Sequence, residues 1–241
     1  MIIKRLSASI LFLLLFVAHA SAASSLPTHV VMMLDRSGST QPGGDLSTQI
    51  AGYAAALERA EVGEALAAAN AHISVVAWSG PGDQLLLVDA RHVAAQSDAR
   101  ALADEMRSLP LTSGGLTDLA AALGHAIEHL DEVAKDSPCA VIILATDQLA
   151  TGGYAIADAQ DQRLRAAEAR ALALERNIIV HGFGLEDPSV AQFLRQNVAT
   201  PRGDVAFVPT APVLADEMAR LLMGDFCRIA VAGTLIRHLA G

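Results

Sequence analysis

The sequence predicts an α/β domain: a doubly wound, mostly parallel sheet of six strands with one antiparallel hairpin strand. Three observations predict it. Short apolar runs are nearly continuous rather than alternating, as strands buried on both faces must be. Ala-rich helical stretches separate those runs, so each strand has a helix to cover it. One pair of strands is joined by a turn-rich link too short for a helical crossover.

Taken in order, His29–Leu34 (HVVMML) is the first strand. Ile73–Trp78 and Gln84–Asp89 are the next two, and Ser79-Gly80-Pro81-Gly82-Asp83 between them reads as the hairpin link. Ala140–Ala145 (AVIILA), Asn177–Phe183 and Asp204–Val208 complete the set. Helical stretches are expected over Leu46–Asn70, Asp98–Leu109, Leu119–Lys135, Ala157–Arg176, Ser189–Asn197 and Val213–Met223. No internal repeat or low-complexity linker interrupts them.

Length and composition agree with one domain. The chain has 241 residues, 52% hydrophobic and 18% charged, with 18 Gly and 9 Pro, which excludes disorder, a collagen repeat and a disulfide-dense miniprotein. Net charge is −9, and past the two basic residues of positions 1–22 it becomes 15 basic against 26 acidic. That balance speaks against nucleic acid, or an anionic membrane surface, as the partner.

The first residues read as an export address. Lys4-Arg5 precede an apolar run, Ile10–Val17, which ends in Ala18-His-Ala20-Ser-Ala22. A basic start, a short apolar stretch and a small-x-small ending make a secretory signal peptide over 1–22, cleaved after Ala22. A membrane anchor needs about 20 apolar residues, which neither this run nor Ile229–Ile236 supplies. The expected product is a periplasmic or secreted chain with a domain over 23–227 and a tail over 228–241, without stable membrane insertion. Export permits disulfides, and the only two cysteines, Cys139 and Cys227, leave two readings open: a bond, or two buried thiols.

In a doubly wound sheet the functional crevice lies beyond the carboxyl ends of the strands, where strand order reverses. Asp35 directly follows the first strand and opens Asp35-Arg36-Ser37-Gly38-Ser39, with one carboxylate and two hydroxyls at alternate positions. Ser113-Gly114-Gly115-Leu116-Thr117 leads another hydroxyl into a helix, and Ala145-Thr146-Asp147 ends a strand with a second carboxylate. Asp35, Ser37, Ser39, Thr117 and Asp147 are all hard oxygen donors, which favours a small hard cation such as Mg²⁺ over Zn²⁺ or Cu²⁺.

Asp35-x-Ser37-x-Ser39, the Gly-Gly-x-Thr117 helix start and the strand-ending Thr-Asp147 resemble the metal-ion-dependent adhesion site of von Willebrand factor type A (vWA) domains. The resemblance covers nearly the whole mature chain. Gly52–Ala56, Val76–Gly82 and Asn177–Gly182 further resemble a branch of exported bacterial type A proteins. It implies that Ser37, Ser39 and Thr117 bind the ion directly and that Asp35 and Asp147 do so directly or through water. It also implies Mg²⁺, or Mn²⁺ or Ca²⁺, as cofactor, and an open coordination position for an acidic side chain of a protein partner. The implied role is binding rather than catalysis. Two positions depart from the pattern: Leu116 stands between the Gly pair and Thr117, and Gln148 follows Asp147 where Gly is commoner.

Competing chemistry is carried by His125-Ala-Ile-Glu128-His129, which matches the His-x-x-Glu-His pattern of zinc peptidases. The apolar stripe of that helix, Leu119, Leu123, Ala126, Ile127, Leu130 and Val133, places the three polar residues on the opposite, solvated face. A phosphohydrolase of the haloacid dehalogenase type would need a second Asp where Ser37 stands. A structural domain with a vestigial site is the remaining alternative. Trp78 reads either as a partner contact or as structural, while His72, His92, His181 and His238 appear scattered along the chain.

Overall fold

A computed structural model describes residues 26–38, 45–135, 137, 139–147 and 156–224. The expected signal peptide, the tail, Cys227, Ser39 and Gln148 lie outside the described residues.

Chain order is β1 (Thr28–Asp35), α1 (Asp45–Leu57), α2 (Ala60–Ala68), β2 (Ala71–Trp78), β3 (Gln84–Val93) and α3 (Gln96–Ser108). There follow α4 (Leu119–Val133), β4 (Cys139–Thr146), α5 (Ile156–Glu175), β5 (Ile178–Leu185), α6 (Pro188–Asn197), β6 (Val205–Val208) and α7 (Ala211–Met223). The six strands form one sheet in the order β3-β2-β1-β4-β5-β6. All pairs are parallel except β2 with β3. The predicted fold class is therefore the observed one, and strand order reverses between β1 and β4.

Each side chain of β1 is buried, and alternate residues feed two cores. Val30, Met32 and Leu34 pack in one layer with residues of α1, α2, α3 and α7. Val31 and Met33 pack in the other with α4, α5 and α6. At about 25 cal/mol per Å² of apolar surface, this two-sided burial of the central strands is the main stabilising term of the fold. Trp78, fully buried at the end of β2, belongs to the second layer, so its role is structural and it is no exposed partner contact.

Several boundaries differ from expectation for identifiable reasons. The single helix expected over 46–70 is two helices, α1 and α2, because Arg59 takes an extended conformation (φ −67°, ψ 134°). The break lets α2 approach α3 so closely that a methyl at Gly63 would stand 2.7 Å from the Gln96 Cα. Helix α3 starts before Asp98, whose carboxylate accepts the backbone N–H groups of Ala94 and Ala95 as a cap. Strand β3 runs on to Val93 through an irregularity in its pairing with β2 around Ala90, which has φ +37°. Cys139 is disulfide-bonded.

Candidate metal centre

Parallel pairing of β1 and β4 sets Leu34 beside Ala145, so Asp35 and Asp147 leave the same edge of the sheet from adjacent strands, at the strand-order reversal. Two bonds from one α1 side chain pin the end of β1. The buried Gln49 accepts from the Asp35 N–H at 2.8 Å and donates to the Asp35 carbonyl at 3.0 Å. The Asp35 carboxylate, fully buried, accepts the Ser37 N–H at 2.8 Å and the Thr146 hydroxyl of β4 at 2.5 Å. The Ser37 hydroxyl bonds it as well.

Burial pushes the Asp35 carboxyl up to about 7, against the pull of those hydrogen bonds, and the charge of Asp147 pushes it the same way. Asp147 is 7% exposed, and its Oδ1 is buried with no hydrogen-bond partner among the described residues. A buried carboxylate oxygen left unpaired costs free energy unless something else satisfies it. Two buried carboxylates at adjacent strand ends, one with an unpaired oxygen, are a donor set that suits a cation.

Thr117 is brought alongside by backbone bonds rather than by its own strand. The Gly38 N–H donates to the Gly115 carbonyl at 2.8 Å, and the Gly114 N–H to the Arg36 carbonyl at 2.5 Å. This approach explains the glycines: a methyl at Gly38 would lie 2.8 Å from the Gly115 oxygen, and one at Gly114 would collide with the Ser79 side chain. Leu116, the inserted residue, lies against Gly80 and is 37% exposed, so the insertion turns its side chain outward while Thr117 stays buried. Asp118 then caps α4, accepting the Ala121 N–H at 3.0 Å and the Arg165 guanidinium at 2.9 Å.

Of the five predicted site residues, Asp35, Ser37, Thr117 and Asp147 are therefore buried at one edge of the sheet, and Ser39 lies outside the described residues. Sequence reasoning did not find Gln49, Thr146 or the Arg36 side chain as supports. Only Thr146, beside Asp147, carried a local signal.

The zinc-peptidase motif is arranged otherwise than expected. Glu128 is exposed, but His129 is 8% exposed, not solvated, and its Nε2 stands 2.8 Å from the Ser74 hydroxyl on β2. The buried face of α4 is wider than its apolar stripe, with Ile127 on one flank and His129 on the other. Of the histidines expected to be scattered, His238 lies outside the described residues, His181 stands apart beside Asp204, and His72 and His92 come together. His29, His72 and His92 face one another across β1, β2 and β3 with ring centroids 4.9 and 4.8 Å apart.

The sheet order and the two helical layers are those of the von Willebrand factor type A fold. Residues 25–220 match the family described as Protein of unknown function (DUF1194), and the chain belongs to that family. No curated protein matches the sequence. Among solved structures, a von Willebrand factor type A protein from Catenulispora acidiphila is similar at 17% identity (TM-score 0.53; 82% of this chain, 42% of that one). Proximal thread matrix protein 1 from the mussel byssus, with a zinc-occupied MIDAS motif, is similar at 16% identity (TM-score 0.57; 83% and 48%). The manganese-loaded TRAP protein of Plasmodium vivax is similar at 16% identity (TM-score 0.54; 84% and 74%). Against several such structures the chain spans only 31–48% of the other chain's length.

Proposed function

We propose that this chain binds a divalent cation, Mg²⁺ or Mn²⁺ and failing those Ca²⁺, at the carboxyl edge of its sheet, and through it a protein partner. Ser37, Ser39 and Thr117 supply hydroxyl ligands, and Asp35 and Asp147 act directly or through water. The observation that carries the reading is the unpaired Asp147 Oδ1 beside the buried Asp35 carboxylate. Hard oxygen donors of this kind suit Mg²⁺ and Mn²⁺. The zinc and manganese named for the mussel protein and for TRAP support a metal at this fold's adhesion site.

When bound, the ion would present residual positive charge to an incoming anion. The chain's own part is to hold the hydroxyls and to keep the carboxylates largely out of solvent, so that an acidic side chain of the partner can complete the coordination. The role proposed is binding rather than catalysis. Export through a signal peptide over 1–22, with the domain over 23–227 and a tail over 228–241, belongs to the same proposal. Among the described residues, no helix is long and apolar enough to cross a membrane.

Thermal unfolding in saturating Mg²⁺ or Mn²⁺ and in EDTA tests this. A ligand selective for the native state must raise stability. The expected result is a higher melting temperature with metal, abolished in Asp35→Ala. Identical curves with metal and chelator would leave the structural-domain alternative standing instead.

A further inference from the structure

The Arg36 side chain carries no role in the site as described. It stands between two candidate ligands, Asp35 and Ser37, yet it cannot itself hold a cation. Its side chain is 11% exposed, and its two terminal nitrogens reach different loops. Nη2 pairs with Asp83 of the β2–β3 hairpin, and Nη1 donates to the Thr112 carbonyl at 3.1 Å, at the start of the segment that leads to Thr117.

Each of those loops is tied onward. Asp83 accepts the Ser79 hydroxyl, and the Ser79 N–H donates to the Asp83 carbonyl at 3.0 Å. The Ser79 carbonyl in turn accepts the N–H of Asp118, the residue after Thr117, at 2.9 Å. The Arg36 backbone closes the ring, donating to the Trp78 carbonyl at 2.9 Å and accepting from Gly114. One guanidinium thus spans the Ser37 loop, the hairpin and the Thr117 loop. Its planar fork can hold a carboxylate and a carbonyl together, whereas a lysine ammonium at this site would be a point charge without that fixed fork.

We infer that Arg36, latched to Asp83, is a positioning residue: it sets the separation between the Ser37 and Thr117 loops on which cation affinity depends. The inference rests on the metal reading proposed above. Electrostatics alone gives the opposite expectation, because removing a positive charge beside a cation site should tighten binding. Removing Arg36 also leaves the Asp83 carboxylate uncompensated, which adds to that expected tightening, so the two effects are told apart by the sign of the change.

The test uses the full exported chain as wild type, Arg36→Met and Arg36→Lys, with Arg59→Met as control, since Arg59 makes an exposed pair with Asp216 remote from the site. Amide hydrogen exchange is measured first, in EDTA. Exchange at Gly38, Gly114 and Asp118 should be about tenfold or more faster in Arg36→Met, with β1 and β4 amides and the control unchanged. Equal exchange at the three amides overturns the latch whatever the metal does. Mn²⁺ is then titrated calorimetrically, with an expected loss of affinity of about 10–100-fold in Arg36→Met, as for other groups that orient ligands. Arg36→Lys, which keeps the charge but not the fork, should lose affinity in the same direction, and it serves alone if the Met variant does not fold. Unchanged or tighter Mn²⁺ binding in both variants overturns the positioning role. A wild type that takes up no Mn²⁺ overturns the metal reading, and with it the positioning role, while the exchange result still decides whether the loops are latched.

Discussion

The two ends of the central strands are built from opposite chemistry. At the carboxyl ends of β1 and β4, buried carboxylates and hydroxyls converge, and one carboxylate oxygen has no partner among the described residues. At the opposite edge, the amino ends of β1 and β2 and the carboxyl end of the antiparallel β3, imidazoles stack in register, His29 on His72 on His92, and His129 packs close by on α4 against Ser74 of β2. Both ends bury polar groups in one sheet. The oxygen end concentrates negative charge and suits a cation, whereas at the nitrogen end burial disfavours the protonated forms of His29 and His129.

The largest effect should come from relieving the oxygen end. Asp35→Asn removes the buried charge yet can still accept the Ser37 N–H and meet the Thr146 hydroxyl. In metal-free buffer at pH 8 its melting temperature should equal or exceed wild type. With Mn²⁺ at 100 to 1,000 times its dissociation constant, wild type should gain about 3–4 kcal/mol and the variant nothing. A variant that is unstable without metal yet still gains stability on adding it would contradict the contrast between the two ends.

Acid should act next, through the imidazoles. Burial lowers the His29 and His129 pKa values and takes that of His181 down to about 4. His29 is lowered further by His72 and His129. For His129 the neighbouring His125 adds to the lowering while Asp89 and Glu132 oppose it; for His181 Asp204 opposes it, and Arg220 and Arg202 add. The His181 Nδ1 accepts the Asp204 N–H at 3.0 Å, a bond that protonation of that nitrogen would break. A histidine whose folded pKa lies below its unfolded value near 6.5 binds its proton more readily in the unfolded chain. Stability is then fully present above about 6.5 and is lost as pH falls towards the folded pKa. For His181 alone the loss approaches roughly 3 kcal/mol near pH 4. Urea unfolding at pH 7.5, 5.5 and 4.5 should show that decline in His181→Gln to a smaller degree than in wild type.

A smaller effect isolates the stacked rings. His29 is 8% exposed, and its Nδ1 has no partner among the described residues. His29→Phe keeps a ring over His72 but cannot take a proton. It should be more stable than wild type at pH 5 and show little difference at pH 8, as read from urea midpoints. An equal gain at both values would mean that the buried nitrogen, not its titration, is what matters.

Strand identity, and the sheet edge from which Asp35 and Asp147 emerge, were legible because both depend on local pattern. Continuous apolar runs of six or seven residues, bounded by turn signals, suit doubly covered strands, and a carboxylate directly after such a strand stands at its carboxyl end. What remained hidden depends on how elements are set against one another. No sequence signal pairs His29 with His72 and His92 until strand register is known. The burial of His129 follows from how deeply α4 sinks, which a helix stripe does not report. The Arg36–Asp83 latch joins residues 47 positions apart through two loops whose mutual approach is set by glycine packing. The break at Arg59 has no glycine or proline to announce it, and the packing of α2 on α3 accounts for it.

Crystals grown with Mn²⁺ and examined for anomalous scattering at the manganese edge test the central claim most directly. The account predicts one strong peak at the carboxyl edge of the sheet, within ligand distance of the Ser37 and Thr117 hydroxyls and beside the Asp35 and Asp147 carboxylates. A peak among the stacked histidines instead, or none at saturating Mn²⁺, would contradict it.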